Sequence, residues 1–326
     1  MGTKEKLLAL FEENKGIYFS GEAIAEKLSI SRTAVWKAVK SLRNEGYHID
    51  AVQNKGYSLS KETDILSSQG IRKYLKPICS EIELTVLPTV ESTNTLVREK
   101  AAAGAPEGYT IIANNQTKGR GRTGRSFFSP SETGIYMSLL LRPPHCSSQQ
   151  AVKLTTIAAL AVCEAIEAIS EETAQIKWVN DIFVGGKKVS GILTEASFGL
   201  ESGLLDYAVL GVGINVYPPK EGFPSGLENI AGAVFQEPKS DGKNQLAAEI
   251  LNRFMAYYSL HEKQHYVENY RERSLVIGKE IQVLFPDSSK NAVAVGIDEN
   301  CRLIVKYPDG SVQYLSSGEI GIRLSQ

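Results

Sequence analysis

Cysteine is scarce in this chain of 326 residues: there are four, Cys79, Cys146, Cys163 and Cys301, widely spaced and with no CxxC pair. That argues against a disulfide framework or a cysteine-held metal and fits a reducing cytoplasm. No apolar run is long enough to span a bilayer, so no membrane partner is expected. The N-terminal stretch MGTKEKLLALFEENKG has neither the apolar core nor the small-residue cleavage site of a signal peptide. The formal net charge is −1, which speaks against wholesale coating of nucleic acid. A GxxxxGK[ST] phosphate loop is missing, and the glycines of Gly211-Val212-Gly213-Ile214-Asn215-Val216 do not have dinucleotide-fold spacing. Internal repeats and low-complexity tracts are absent too.

What charge there is, is unevenly placed. Between residues 31 and 61, Arg32, Lys37, Lys40, Arg43, Lys55 and Lys61 face only Glu45 and Asp50. The first sixty residues read as three short helices and a hairpin. Leu7, Leu8, Leu10 and Phe11 mark the first helix, stopped near Asn14-Lys15-Gly16; Ser20 caps a second and Ser31 a third. The third carries Val35, Trp36, Val39 and Leu42 as its apolar stripe and ends at Gly46. Two alternating stretches, 47–52 and 56–59, turn around Asn54-Lys55 and make a wing. Ser31, Arg32, Thr33, Lys37 and Lys40 fall off the apolar stripe, with Lys55 at the wing tip, where they suit a DNA groove and its phosphates. A protein-interaction module with a solvated basic face is the alternative.

Beyond a polar boundary at 61–80 the pattern becomes α/β. Strands are expected at 84–87, 109–114, 134–141, 174–177, 188–196 and 205–216, and helices at 93–103, 150–169 and 244–271. From 274 onward, short strands at 279–285, 292–297, 303–307, 312–315 and 320–324 alternate with turns such as Pro286-Asp287, as in a small SH3-type barrel.

Four segments look chemical. Glu91-Ser92-Thr93-Asn94-Thr95 sets small polar side chains at a helix N-terminus, for capping or for a ligand. Lys118-Gly119-Arg120-Gly121-Arg122-Thr123-Gly124-Arg125, preceded by Gln116, alternates cations with glycines and holds no acid. Such a loop resists regular structure and is suited to folding around a carboxylate or phosphate. In Lys177-Trp178-Val179-Asn180-Asp181-Ile182 and Gly185-Gly186-Lys187-Lys188-Val189-Ser190-Gly191, a tight hairpin presents two lysines. Strand alternation allows one of them to point inward, although two solvated lysines would read the same. The glycines at 211 and 213 mark close approach of a backbone or a flat ligand.

In this order, the four segments resemble the biotin–protein ligase family, in its bifunctional bacterial type that also represses the biotin operon. The resemblance covers essentially the whole chain. Two departures stand out: Phe127 where the family's GRGRxGRxW has tryptophan, and Val179 where KWPND has proline. The resemblance implies an α+β chain: a winged helix-turn-helix over 1–62, a central α/β class II-synthetase-like ligase domain over 63–273, and an SH3-like β-barrel over 274–326. It implies ATP-dependent formation of biotinoyl-5′-AMP with Mg²⁺, then transfer of biotin to a lysine of the carrier domains of acetyl-CoA carboxylase and pyruvate carboxylase. Ser92, Thr93, Asn94, Gln116, Arg120, Gly121, Arg122 and Lys188 would hold biotin, Arg122 and Lys188 acting in catalysis. Phe127, Gly213 and Asn215 would line the nucleotide site, Asp181 would touch the metal, and 217–235 would order over adenine. The adenylate would also be the corepressor, making a homodimer that binds operator DNA, with 142–148 as its guessed surface. A lipoate or octanoyl ligase and a non-catalytic metabolite-sensing regulator are the competing readings.

Overall fold

The computed structural model describes residues 2–199, 201, 203–260, 266–285, 288–316 and 319–322. The chain divides into two compact units, one running to Pro77 and taking in Glu237–Glu249, the other comprising Ile78–Gln236 and Ile250–Gln326.

The first unit opens with α1 (Thr3–Glu13), α2 (Gly21–Leu28) and α3 (Arg32–Asn44), followed by β1 (Ile49–Val52), β2 (Gly56–Leu59) and α4 (Ser68–Arg72). The expected caps are in place: Ser20 Oγ accepts from the Ala23 N–H at 3.0 Å and Ser31 Oγ from that of Ala34 at 3.1 Å. Ser29 ends α2 at φ 55°, which turns the chain directly into α3. Leu7, Phe11, Ile24, Val35, Val39, Leu42 and Leu59 form the core.

One expectation fails here. Trp36 is not in the stripe; it is 53% exposed, and Ala38 takes the inward place. The buried set Val35, Ala38, Val39 and Leu42 is spaced i, i+3, i+4, i+7, and Trp36 lies about 100° around the helix from Val35.

Under this core sits a cluster of four charges. Lys15 Nζ lies 2.9 Å from Asp241 and 3.3 Å from Glu12, while Lys73 Nζ lies 2.8 Å from Glu12 and 2.5 Å from Asp241. The Tyr74 hydroxyl donates to Asp241 Oδ2 at 2.6 Å, and Asn244 Nδ2 donates to Asp241 Oδ1 at 2.8 Å. Two carboxylates balance two ammonium groups, which is what permits such groups to leave water.

The second unit is built on β3 (Glu83–Leu87), α5 (Thr93–Ala102), β4 (Tyr109–Ala113), β5 (Gly134–Leu141), α6 (Ser148–Ile169), β6 (Ala174–Lys177), β7 (Asp181–Val184), β8 (Lys187–Phe198) and β9 (Leu205–Asn215). They make a seven-stranded sheet ordered β3-β4-β5-β9-β8-β7-β6, antiparallel except for β3 and β4. The short strand β7 was not among the expected ones. It fills the hairpin on both sides, pairing with β6 across Trp178-Val179-Asn180 and with β8 across Gly185-Gly186. Ten apolar residues of α6 between Leu154 and Ile166 are buried, together with Thr156, as its apolar circumference required.

The single helix expected over 244–271 is two, α7 (Gly242–Leu260) and α8 (Tyr266–Glu272). Residues 261–265 between them lie outside the described residues.

The C-terminal strands are β10 (Glu280–Phe285), β11 (Ser288–Ile297), β12 (Leu303–Lys306), β13 (Val312–Leu315) and β14 (Glu319–Ile322). Their order is β13-β12-β11-β10-β14, so the sheet is open: among the described residues no pairing joins β13 to β14, and the expected barrel is not closed. Both edge strands are only four residues long. The turn at Pro286-Asp287 and residues 323–324 of the last strand lie outside the described residues. Trp178 Nε1 donates to the Cys301 carbonyl at 2.9 Å, fastening this sheet to the central one beside the site.

Candidate functional site

Where β8 and β9 carry glycine, the sheet opens. Gly191 and Gly213 are cross-strand partners, and Gly213 also pairs with Tyr136 of β5. The ring of Phe127 lies on this glycine pair: a Cβ added at Gly213 would stand 2.6 Å from the ring, and one at Gly191 3.4 Å from it. The flat group expected over these glycines is thus a side chain of the protein itself. Tyr136 borders the ring edge-on, centroids 6.4 Å apart, and its hydroxyl donates to the Pro130 carbonyl at 2.8 Å. Burial pushes the Tyr136 phenol up, so it stays a neutral donor. Gly211 makes room in the same way for the amide of Asn94.

These glycines help to line a cavity of about 150 Å³. Its polar wall is the start of α5. Ser92 is the N-cap, accepting from the Thr95 N–H at 3.4 Å, so capping and lining are combined in one residue. Gln116 Oε1 accepts from the Thr93 N–H at 2.9 Å and from its hydroxyl at 3.1 Å, while Gln116 Nε2 donates to Ser129 Oγ at 3.1 Å. Ser138 Oγ lies 2.6 Å from Asn94 Oδ1 and 2.7 Å from Thr93 Oγ1. Asn94 Nδ2 donates to Glu195 at 2.9 Å. These bonds fix which way each amide points.

The cationic wall comes from the glycine-rich loop and β8. The loop folds as a tight hairpin, with the Gly121 N–H donating to the Arg125 carbonyl at 2.7 Å and the Phe127 N–H to that of Gly119 at 2.9 Å. Thr123 sits at φ 52° and Gly124 at φ 75°, the left-handed turn that lets Arg122 and Arg125 flank one space. Arg122 Nη1 donates to Asn180 Oδ1 at 3.0 Å, and Asn180 is itself held by the Ile192 carbonyl at 2.9 Å. The two hairpin lysines part as strand alternation allows: Lys188 lines the cavity, 2.5 Å from Asp181, while Lys187 is exposed and donates to the Glu228 carbonyl at 3.2 Å. Among the described residues Arg120, Arg122, Arg125, Lys177 and Lys188 line the cavity, together with one carboxylate, that of Asp181. A surplus of this kind suits an anionic ligand, and a composite anion such as a carboxylate beside phosphates most of all.

The cavity therefore brings together Ser92, Thr93, Asn94, Gln116, Arg120, Gly121, Arg122, Phe127, Asp181, Lys188 and Gly213. Asn215 does not line it; its Nδ2 donates to the Gly232 carbonyl at 3.0 Å and tethers the segment after β9. That segment reaches Lys188 by its backbone, the Lys188 N–H donating to the Ile230 carbonyl at 2.8 Å and the Gly232 N–H to that of Lys188 at 2.9 Å. Arg142 spends its guanidinium on the carbonyls of Ala101, Ala105 and Asp206. Among the described residues no group of three or more His, Cys, Asp or Glu could hold a metal, so Asp181 offers one carboxylate only.

Three residues with roles around this cavity escaped the sequence reading. Asn180 orients Arg122. Ile320, from the C-terminal sheet, is part of the lining. Glu195 joins the two walls, accepting from Asn94 and pairing with Arg120 at 3.1 Å and Arg98 at 3.4 Å. Period-two counting along β8 from Gly191 through Leu193 reaches Glu195, so its side was readable, though its partners were not.

On the first unit, Ser31, Arg32, Thr33, Lys37, Lys40 and Lys55 are all exposed. Lys55 Nζ lies 5.9 Å over the Tyr18 ring, and Asn54 turns the wing tip at φ 65°.

Known families match this division of labour. Residues 86–215 match the biotin/lipoate A/B protein ligase family, residues 3–58 a helix-turn-helix (HTH) domain and residues 276–323 the biotin protein ligase C terminal domain. The bifunctional ligase/repressor BirA of Bacillus spizizenii is 33% identical over 314 residues, 94% of this chain and 95% of the relative. That of Escherichia coli K12 is 27% identical over 98% of this chain and 97% of its own length. A solved structure titled biotin protein ligase from Aquifex aeolicus in complex with biotin and ATP superposes with a TM-score of 0.63, at 28% identity, covering 74% of this chain and 99% of that one. The chain belongs to the biotin protein ligase family, in its bifunctional ligase/repressor branch.

Proposed function

We propose that the chain joins biotin to ATP, transfers the biotinoyl group to a lysine of a carrier protein, and represses transcription when it holds the adenylate. The observation that carries this is the cavity lining, which among the described residues gathers five cations and one carboxylate beside a wall of fixed amides and hydroxyls. The amides and hydroxyls of Thr93, Asn94 and Gln116 suit a ureido ring, which offers two N–H donors and a carbonyl. Arg120, Arg122 and Lys188 suit the biotin carboxylate and the α-phosphate, whose mutual repulsion is the main obstacle to the reaction in water. In line, the carboxylate oxygen attacks the α-phosphorus, the bond to the β-phosphate oxygen breaks, and pyrophosphate leaves with biotinoyl-5′-AMP formed. The protein's part is positioning and charge neutralisation rather than proton transfer.

A Mg²⁺ ion, if carried in on ATP, would neutralise phosphate charge; one carboxylate fits an ion held mainly by phosphate oxygens, and that carboxylate is Asp181. Phe127, lying over Gly213, would face the nucleotide, with Asn215 holding residues 217–235 over the adenine. Arg120, Gly121 and Arg122 close over the adenylate and keep water out until a lysine amine attacks its carbonyl carbon, releasing AMP.

The acceptors in this reading are the carrier domains of acetyl-CoA carboxylase and pyruvate carboxylase. The domains are 1–62 for DNA, 63–273 for ligation and 274–326 for the C-terminal sheet. Biotinoyl-5′-AMP acts as corepressor, and the loaded chain binds operator DNA as a homodimer through Ser31, Arg32, Thr33, Lys37, Lys40 and Lys55. Biotin-dependent release of pyrophosphate from ATP tests the enzymatic half: no release, or release with lipoate in place of biotin, sinks it. Sedimentation as a monomer with biotin and ATP present, at concentrations that bind operator, sinks the dimeric repressor.

A further inference from the structure

Helix α3 carries one side chain that neither core packing nor charge explains. Trp36 is 53% exposed, and it stands in the row Arg32, Trp36, Lys40, one helical turn between each. Lys40 Nζ lies over its ring, 5.3 Å from the centroid, so one face of the ring carries a cation. Trp36 also forms one wall of a groove between α3 and the wing, with Arg32 and Thr33 beside it and Val52, Gln53 and Asn54 across it. Val52 is itself 40% exposed, so the groove is apolar at its centre and polar or basic around it.

A tryptophan held this way is unfavourable in water and gains by being covered. What fits an apolar ring flanked by phosphate-binding cations is a nucleic-acid groove, and the apolar group that a major groove offers is the 5-methyl of thymine. We propose that Trp36 is a specificity-determining residue that reads thymine methyl groups in the operator, while Arg32 and Lys40 hold the flanking phosphates. This rests on the DNA-binding reading above. Arg32 and Lys40 on their own would give affinity with little sequence preference; Trp36 supplies the preference.

The test uses the full-length protein with biotin and ATP. Duplexes are selected from a random pool by wild type, Trp36→Ala and Trp36→Phe, all three checked for equal helix content by circular dichroism. Wild type and Trp36→Phe should enrich a site with thymine at a constant position, and Trp36→Ala should lose that preference. Replacing that thymine by uracil, which removes only the methyl, should weaken wild-type binding about fourfold per methyl and leave Trp36→Ala unchanged within about twofold. Enrichment of the same site by wild type and Trp36→Ala overturns the inference, as does an equal cost of uracil to both. A Trp36→Ala chain that keeps its DNA preference but no longer self-associates puts Trp36 in a protein interface and overturns it too. If no sequence is enriched by any of the three, the DNA-binding reading itself has failed, and this inference with it.

Discussion

Gly213→Ala should injure ligand binding far more than folding. The added Cβ would lie 2.6, 2.9 and 3.0 Å from three carbons of the Phe127 ring, where carbons ordinarily rest about 3.5–4.0 Å apart. The ring must therefore withdraw by about 1 Å. It cannot slide toward Tyr136, which is 1% exposed and bonded through its hydroxyl to Pro130. The path that is open leads into the cavity, where substrate has to lie. In the empty protein the ring takes that path at little cost. In the loaded protein the conflict remains and costs about 1–3 kcal/mol, a factor of ~5–150 in affinity.

Pyrophosphate-release kinetics read this directly. KM for ATP or biotin should rise by about an order of magnitude or more, while the melting temperature shifts by no more than about 4 °C. Phe127→Ala in the same chain removes the obstacle, so in that background the Gly213→Ala penalty should largely vanish. A Gly213→Ala enzyme with both KM values within twofold of wild type would refute the account, and so would a penalty that persists undiminished in the Phe127→Ala background.

Other positions make equally definite predictions. Arg122→Ala breaks the bond to Asn180 and should let adenylate escape, seen as biotin on unrelated lysines in solution; a variant that simply binds no biotin contradicts the shielding role. Glu195→Gln loses the ion pairs to Arg120 and Arg98 but keeps an oxygen for Asn94. Because both arginines are nearly half exposed, KM for biotin should rise no more than about fivefold with kcat little changed; a loss in kcat instead means Glu195 does more than orient Arg120. Asp241→Asn leaves two partly buried ammonium groups sharing one carboxylate and should cost about 2–4 kcal/mol in urea unfolding of the first unit. Burial alone would raise the Asp241 carboxyl, but bonds from Lys73, Tyr74, Asn244 and Lys15 hold it below its ordinary 3.8. A depressed carboxyl stabilises above its unfolded pKa and loses that contribution as pH falls through the folded one. The gap between wild type and Asp241→Asn should therefore be level near neutrality and close below about pH 4; a gap that widens in acid refutes the assignment.

The elements that were legible in the sequence owe their form to their own residues. Ser20 and Ser31 cap helices three residues away, and the β8 hairpin sorts Lys187 from Lys188 by alternation alone. The glycine-rich loop announced an anion because four cations with no acid among them are expensive unless a ligand answers them. Gly213 also declared itself, since glycine in a buried strand implies something lying on it. The sequence did not say that the thing would be Phe127, fourteen residues upstream of the pairing strand's end at Leu141 and brought there by a loop.

What stayed hidden depends on partners far along the chain. Glu12 is a charged residue inside a buried helix face, and by pattern it should point to water. It is buried because Lys15 and Lys73 pair with it, and Asp241, 226 residues from Lys15, pairs with both lysines in turn. No local window contains that sum. Trp36 shows the opposite error: its hydrophobicity suggested the core, yet the stripe was already complete with Ala38 in the inward place. A side chain's burial is decided by whether its position faces neighbours, and its chemistry sets only the cost when position and preference disagree. Where that cost is borne on an exposed face under a lysine, as at Trp36, the disagreement marks a surface suited to being covered.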